Sequence, residues 1–133
     1  MTTIDLSGFS GQKLVELLIE CSVVMNFEGE YGVLLICPFT LETRGATHHI
    51  APATDPPEAF VPVRNLLGTS ISTSNIGENG SLSLTFDDGS ILHVEPDPNY
   101  EAWNLSGPDG LVVVCMAGGE LAIWSGIAPM GDG

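Results

Sequence analysis

Apolar side chains recur at every second position along most of this chain, the spacing of strands that bury one face. Val23, Met25 and Phe27 share one side of residues 21–27, and Leu82, Leu84 and Phe86 share one side of residues 82–86. Residues 12–19 are rich in Leu, Val and Ile, and residues 39–43 alternate again before Arg44-Gly45 turns the chain into residues 46–51. Residues 33–37 form a nearly continuous apolar run, which predicts a strand covered on both faces or central in its sheet. The second half reads as a meander of strands at 69–76, 82–86, 91–95, 101–105, 111–116 and 120–124. Asn79-Gly80 and Asp88-Gly89 between these runs are strong hairpin signals, because their residues accept the backbone angles a tight turn demands.

Helical spacing occurs once. Asp55 can cap a first turn that contains proline, Phe60, Val63, Leu66 and Leu67 follow at helical intervals, and Gly68 ends the pattern. Pro62 lies inside this window and keeps the helix short or bent. The pattern predicts an all-β fold, a sandwich or partly open barrel of antiparallel hairpins, with one short helix near residues 56–67. It fills one domain over residues 1–133, with loose termini at 1–10 and 125–133. The halves also echo each other: Val23-x-Met25-x-Phe27-Glu28, a glycine turn and Val33 to Pro38 parallel Leu82-x-Leu84-x-Phe86-Asp87, its turn and Ile91 to Pro96. A duplicated hairpin and two hairpins obeying one rule both account for that echo.

Charge changes the picture. Seventeen Asp and Glu stand against three Lys and Arg in 133 residues, a formal charge of −14. Such a field repels nucleic acid and anionic membranes and speeds encounter with a basic partner. Disorder is excluded by an apolar fraction of 44% and by runs such as Leu111-Val112-Val113-Val114. No apolar run approaches the roughly 20 residues of a membrane helix, and Met1 to Gly11 lacks the pattern of a signal peptide. Cys21, Cys37 and Cys115 lie in apolar runs without metal spacing, so they are expected to be buried, unpaired and slow to react.

Reaction chemistry is hard to find. Phe86-Asp87-Asp88-Gly89-Ser90 lacks the alternating oxygen ligands of a calcium loop and reads as a hairpin turn. His48 and His49 are adjacent on a strand and so point to opposite faces, and His93 reads as a half-exposed strand position. No Gly-x-Ser-x-Gly elbow, dinucleotide fingerprint or phosphate-binding loop is present. The expectation is a protein without catalytic residues, metal or cofactor. The best interaction candidate is the aromatic-acidic segment Asp97-Pro98-Asn99-Tyr100-Glu101-Ala102-Trp103. The acidic residues near the 86–101 stretch, Asp87, Asp88, Glu95, Asp97 and Glu101, are expected to form part of the binding face, with Tyr100 as anchor. Trp103 is expected to plug the core.

Three motifs in order carry a resemblance: Leu82-x-Leu84-x-Phe86-Asp87-Asp88-Gly89-Ser90, then Tyr100-Glu101-Ala102-Trp103, then Gly118-Gly119-Glu120-Leu121-Ala122-Ile123-Trp124. They resemble a family of small acidic actinobacterial proteins of unknown function. The resemblance covers residues 82–124 closely and the first half only in its strand–short helix–strand outline. Members look like immunity proteins of polymorphic toxin systems, cytosolic inhibitors that block a cognate toxin. The resemblance therefore implies a non-catalytic cytoplasmic protein that binds and neutralises a basic toxin domain, and it brings no catalytic motif with it. The alternative is a small-molecule-binding or vestigial enzyme β-barrel domain with its ligand in the barrel mouth. A neighbouring gene for a large secreted protein with a basic C-terminal domain separates the first reading from an operon of metabolic enzymes.

Overall fold

Residues 4–124 are described by a computed structural model, and they form two antiparallel sheets packed face to face. The strands are β1 (Leu14–Ile19), β2 (Val23–Phe27), β3 (Gly32–Leu35), β4 (Phe39–Thr43), β5 (Ala46–Ile50), β6 (Ile71–Ile76), β7 (Leu82–Phe86), β8 (Ile91–Val94), β9 (Trp103–Ser106), β10 (Val112–Cys115) and β11 (Leu121–Trp124). One sheet has the order β1-β2-β3-β9-β10-β11, the other β5-β4-β8-β7-β6. The fold is thus a β-sandwich, as the alternation predicts. The helical window delivers one turn of 3-10 helix, Pro57–Phe60, running into α1, Val61–Arg64. Its Phe60, Val63 and Leu66 are buried in the core.

Alternate residues of each strand point inward, so the core is written directly by the period-2 pattern. Val23, Met25 and Phe27 meet Leu82, Leu84 and Phe86, with Leu92, Val94, Trp103, Leu105 and Val113 filling the space between the sheets. Phe9 stacks on Tyr31 with centroids 4.7 Å apart and meets Phe27 edge-on at 4.9 Å. The first ten residues were expected to be loose. The structure corrects this for the described part, since Phe9 is fully buried and Ile4 and Leu6 pack against the core. Residues 1–3 and 125–133 lie outside the described residues.

The sequence echo is the visible part of a larger repeat. In β1 and β2, Leu14 pairs with Phe27 and a bulge follows before Glu16; in β6 and β7, Ile71 pairs with Phe86 and a bulge follows before Thr73. Where the two units meet, Gly68 N–H donates to Leu14 C=O and Gly11 N–H to Ile71 C=O, while Leu14 N–H donates to Thr69 C=O and Ile71 N–H to Gln12 C=O. These are the same bonds made twice, about the isolated bridge Lys13–Ser70. Phe27 and Phe86 face each other with centroids 6.5 Å apart. The sandwich is therefore two copies of one five-strand unit related by an internal pseudo-two-fold axis. Each unit lays three strands in one sheet and then crosses to add two to the other: β4 joins β8, and β9 joins β3. Shared hairpin patterning alone does not generate matching bulges and crossovers.

The repeat breaks at β11, which extends the first sheet beyond β10. The matching stretch after β5 begins with Pro56-Pro57. Prolines donate no backbone N–H to a ladder, and here they start the 3-10 turn instead.

Of the two alternatives for the run at 33–37, the structure shows the second: β3 is central in its sheet, between β2 and β9, with Val33 and Leu35 buried and Leu34 pointing outward, half-buried. Of the cysteines, Cys37 and Cys115 are buried as expected, but Cys21 is exposed, because it sits in the turn between β1 and β2 rather than within a strand. All three are free thiols. Burial pushes the Cys37 and Cys115 thiols up, which depletes their thiolate. In the native protein a thiol reagent should label one cysteine rapidly and the other two only on unfolding. Mass spectrometry of a labelling time course checks this, and Cys21→Ser should abolish the fast phase.

Candidate functional site

The turns at the two ends of the sandwich differ in charge. At one pole lie the β1–β2, β6–β7 and β10–β11 turns, the crossovers after β3 and β8, and the segment after β5. These carry seven carboxylates, Glu20, Asp55, Glu78, Glu95, Asp97, Glu101 and Glu120, and no Lys or Arg. All three basic residues belong to the other pole. Lys13 lies beside Glu28, Arg44 is in the β4–β5 turn, and Arg64 is on α1, whose Pro62 lines one groove with Arg44 and Asp88. The bases are thus confined to one pole, where they stand among Glu28, Glu30, Asp87, Asp88 and Asp109, and the carboxylates are spread over both.

The six residues singled out from the sequence divide between these poles. Asp87 and Asp88 form the β7–β8 turn at the mixed pole, where the Asp88 carboxylate accepts the Ser90 N–H at 2.8 Å. Glu95, Asp97, Tyr100 and Glu101 lie together in the β8–β9 crossover at the acidic pole. The strand β8 separates the two groups by roughly 20 Å at ~3.3 Å per residue. The crossover is well anchored. Asp97 Oδ1 accepts the N–H of Asn99 at 2.8 Å and of Tyr100 at 3.2 Å, its carbonyl accepts Gly118 N–H at 2.7 Å, and Glu101 C=O accepts the Cys37 thiol at 3.3 Å. Tyr100 stands out from this loop with 67% of its surface exposed. A large ring held in water on a fixed backbone is suited to insert into a partner.

A polar network reaches the same loop from the open face of the five-stranded sheet. Asn79 donates to Glu95 Oε1 at 3.0 Å, Glu95 Oε2 meets His93 Nε2 in a very short contact, and His93 Nδ1 lies 2.7 Å from Ser83 Oγ. A carboxylate only accepts, so Nε2 carries a proton toward Glu95, while the Ser83 hydroxyl can donate to Nδ1 or accept from it. The bond to His93, the largest cause, holds the Glu95 carboxyl below its ordinary value. Ser83, His93 and a carboxylate in a row invite comparison with a nucleophile and its base. However, Ser83 and His93 face each other across the β7–β8 ladder, whose strand N–H groups serve the sheet, and Glu95 is 61% exposed to water. What the network does is brace the Asn79 turn against the Glu95 crossover.

A family model matches residues 6–125, nearly the whole chain. The chain belongs to DUF6188, a family of unknown function. The matched span starts eight residues before β1 and ends one residue past β11, so it covers both units together. No curated protein and no solved structure matches the chain.

The Ser83–His93–Glu95 network is the arrangement that sequence reasoning passed over. Its signal was present: His93 and Glu95 are two apart and share a face, and a four-residue turn at Asp87–Ser90 sets Ser83 opposite His93. Among the described residues, no three His, Cys, Asp or Glu side chains gather into a metal-binding group, and no helix is long and apolar enough to cross a membrane. The space between the two sheets is filled by buried side chains. A groove of about 600 Å³ opens between β6, the N-terminal segment and Leu121 of β11.

Proposed function

We propose that this protein is a non-catalytic binding protein of the immunity type, which captures a basic toxin domain in the cytoplasm on its acidic pole. The carrying observation is the confinement of the bases to one pole: the other carries seven carboxylates and no Lys or Arg, and Tyr100 stands exposed there on an anchored backbone. Like-signed turns at one pole focus the field and orient a basic partner during encounter, which raises the on-rate more than the affinity. Tyr100 then supplies the desolvated contact that holds the complex. Its neighbours Asp97 and Glu101 form the rim, and the braced Asn79–Glu95–His93 network keeps that rim in place before the partner arrives. The free thiols fit a reducing compartment.

The test is a kinetic series against the basic C-terminal domain of a toxin-like protein, chosen from a neighbouring reading frame that encodes one. Association with wild type should slow steeply as salt rises. Glu101→Lys should lower the on-rate several-fold at low salt, and Tyr100→Ala should raise the off-rate by about 10- to 100-fold. Asp88→Lys, at the opposite pole, should change neither. Absence of binding to that domain by wild type overturns the proposal, and unaltered kinetics in Glu101→Lys and Tyr100→Ala move the contact away from this pole.

A further inference from the structure

The internal two-fold axis supplies a control for reading the two outer faces of the sandwich. Because both sheets contain the same five strands of the repeat, every outward position on β1, β2, β3, β9 and β10 has a mate on the other sheet, and only β11 has none. Across the six-stranded sheet the outward row reads Leu18, Val24, Leu34, Asn104, Val114. The mates across the five-stranded sheet are Asn75, Ser83, His93, Thr40 and His49. Four apolar residues on one face correspond to four polar residues on the other. The fold does not require apolar residues at these positions, since the same backbone faces water with polar ones.

The apolar face has further marks of a covered surface. Leu18 is 51% exposed and Trp124, in the next row, 56%. The single charge in these two rows is Glu16, on the edge strand and held by Asn26 Nδ2 at 2.7 Å. Near the centre, Asn104 Oδ1 is buried by its neighbours and accepts no hydrogen bond, in a cleft of about 250 Å³ lined by Val24, Leu34 and Val112. A buried acceptor without a donor costs free energy that a docked partner recovers.

We infer that two copies of this chain pack face to face through the six-stranded sheet. A face nearly without charge offers nothing to attract a basic or an acidic protein, yet it is where a chain of −14 meets its own copy without opposing carboxylates. Asn104 is self-complementary, because its amide carries both a donor and the orphan acceptor. With a two-fold axis running across the strands, β9 lies over the partner's β9. Sheets about 10 Å apart then place the two amides within reach, each donating to the other's oxygen. The same axis sets the two acidic poles at opposite ends of the dimer. The face measures roughly 400 Å², six strands at ~4.8 Å by about four residues at ~3.3 Å, half the usual ~800 Å² per partner, so the dimer is weak.

Sedimentation equilibrium up to about 0.5 mM tests this, within the range where weak contacts are populated. Wild type should dimerise, and dimerisation should strengthen with salt, opposite to the capture of a basic domain. Val114→Glu should weaken the dimer at least about a hundredfold by burying an unpaired charge, whereas His49→Glu at the mate position should leave it intact. If Val114→Glu does not fold by circular dichroism, Leu18→Glu, at an exposed side chain, makes the same test. A monomer at every concentration and salt overturns the inference, as does a dimer that survives both apolar-face variants.

Discussion

Trp103→Ala should lower the thermal midpoint by roughly 10–18 °C, taking about 3.6 °C per kcal/mol for a chain of this length and a loss of about 3–5 kcal/mol for an emptied tryptophan site. Trp103 is the largest fully buried side chain, and it opens β9 where the second unit crosses into the six-stranded sheet. Its indole N–H donates to Gly80 C=O at 2.9 Å, tying the β6–β7 turn of one sheet to β9 of the other. Truncation therefore removes packing from the core and a tether between the sheets at once. Trp103→Phe separates the two contributions: it keeps most of the apolar contact and loses the N–H, while the Cys115 thiol at 3.3 Å still reaches the same carbonyl. It should lie well above the alanine variant. A shift below about 4 °C for Trp103→Ala, close to a single kcal/mol, would mean that the acidic pole is not built around this residue.

How much of this was legible in the sequence depends on the range of the interaction. Period-2 spacing is local, and it fixes which side of β2 and β7 is buried without knowledge of the partner sheet. Asp88-Gly89 is equally local, and the hairpin forms there. The continuous run at 33–37 was ambiguous because an outward Leu34 looks the same whether a second layer of this chain or another copy covers it. Cys21 was misplaced because an apolar run can turn at its end, and three residues between Ile19 and Val23 leave no room for burial.

The candidate site was half legible for the same reason. Sequence proximity grouped Asp87 and Asp88 with Glu101, but a hairpin strand carries the chain from one pole to the other between them. Glu20, Asp55, Glu78 and Glu120 join the acidic pole only through the crossovers, which are long-range. The echo between the halves was visible in β2 and β7. Its extension to bulges, crossovers and outer-face mates required the register, because Leu18 and Asn75, or Val114 and His49, share no chemistry. Divergence on the surface with identity of backbone is what lets one face be read against the other.

Gly80→Ala should destabilise the protein by about 3–4 kcal/mol, combining roughly 1–2 for a side chain in left-handed backbone with about 2 for a steric clash. Gly80 has φ +95°, and a methyl group there would fall 2.8 Å from Gly119 Cα and 2.9 Å from its carbonyl carbon. Gly119 itself has φ +97°, so two turns from opposite sheets meet backbone to backbone at the acidic pole. Neither side of the contact has a flexible side chain that can yield. Gly89→Ala is the control, since φ is +91° there but nothing lies within 4 Å of the added methyl. It carries the backbone strain alone, about 1–2 kcal/mol. Denaturant titrations of the two variants should differ by about 2 kcal/mol, the steric part. The near-ultraviolet signal of Trp103 should also change only in Gly80→Ala, because the carbonyl that accepts its N–H moves with the turn. Equal losses in the two variants would show that the turns part without cost and that the Gly80–Gly119 contact does not hold the sheets together.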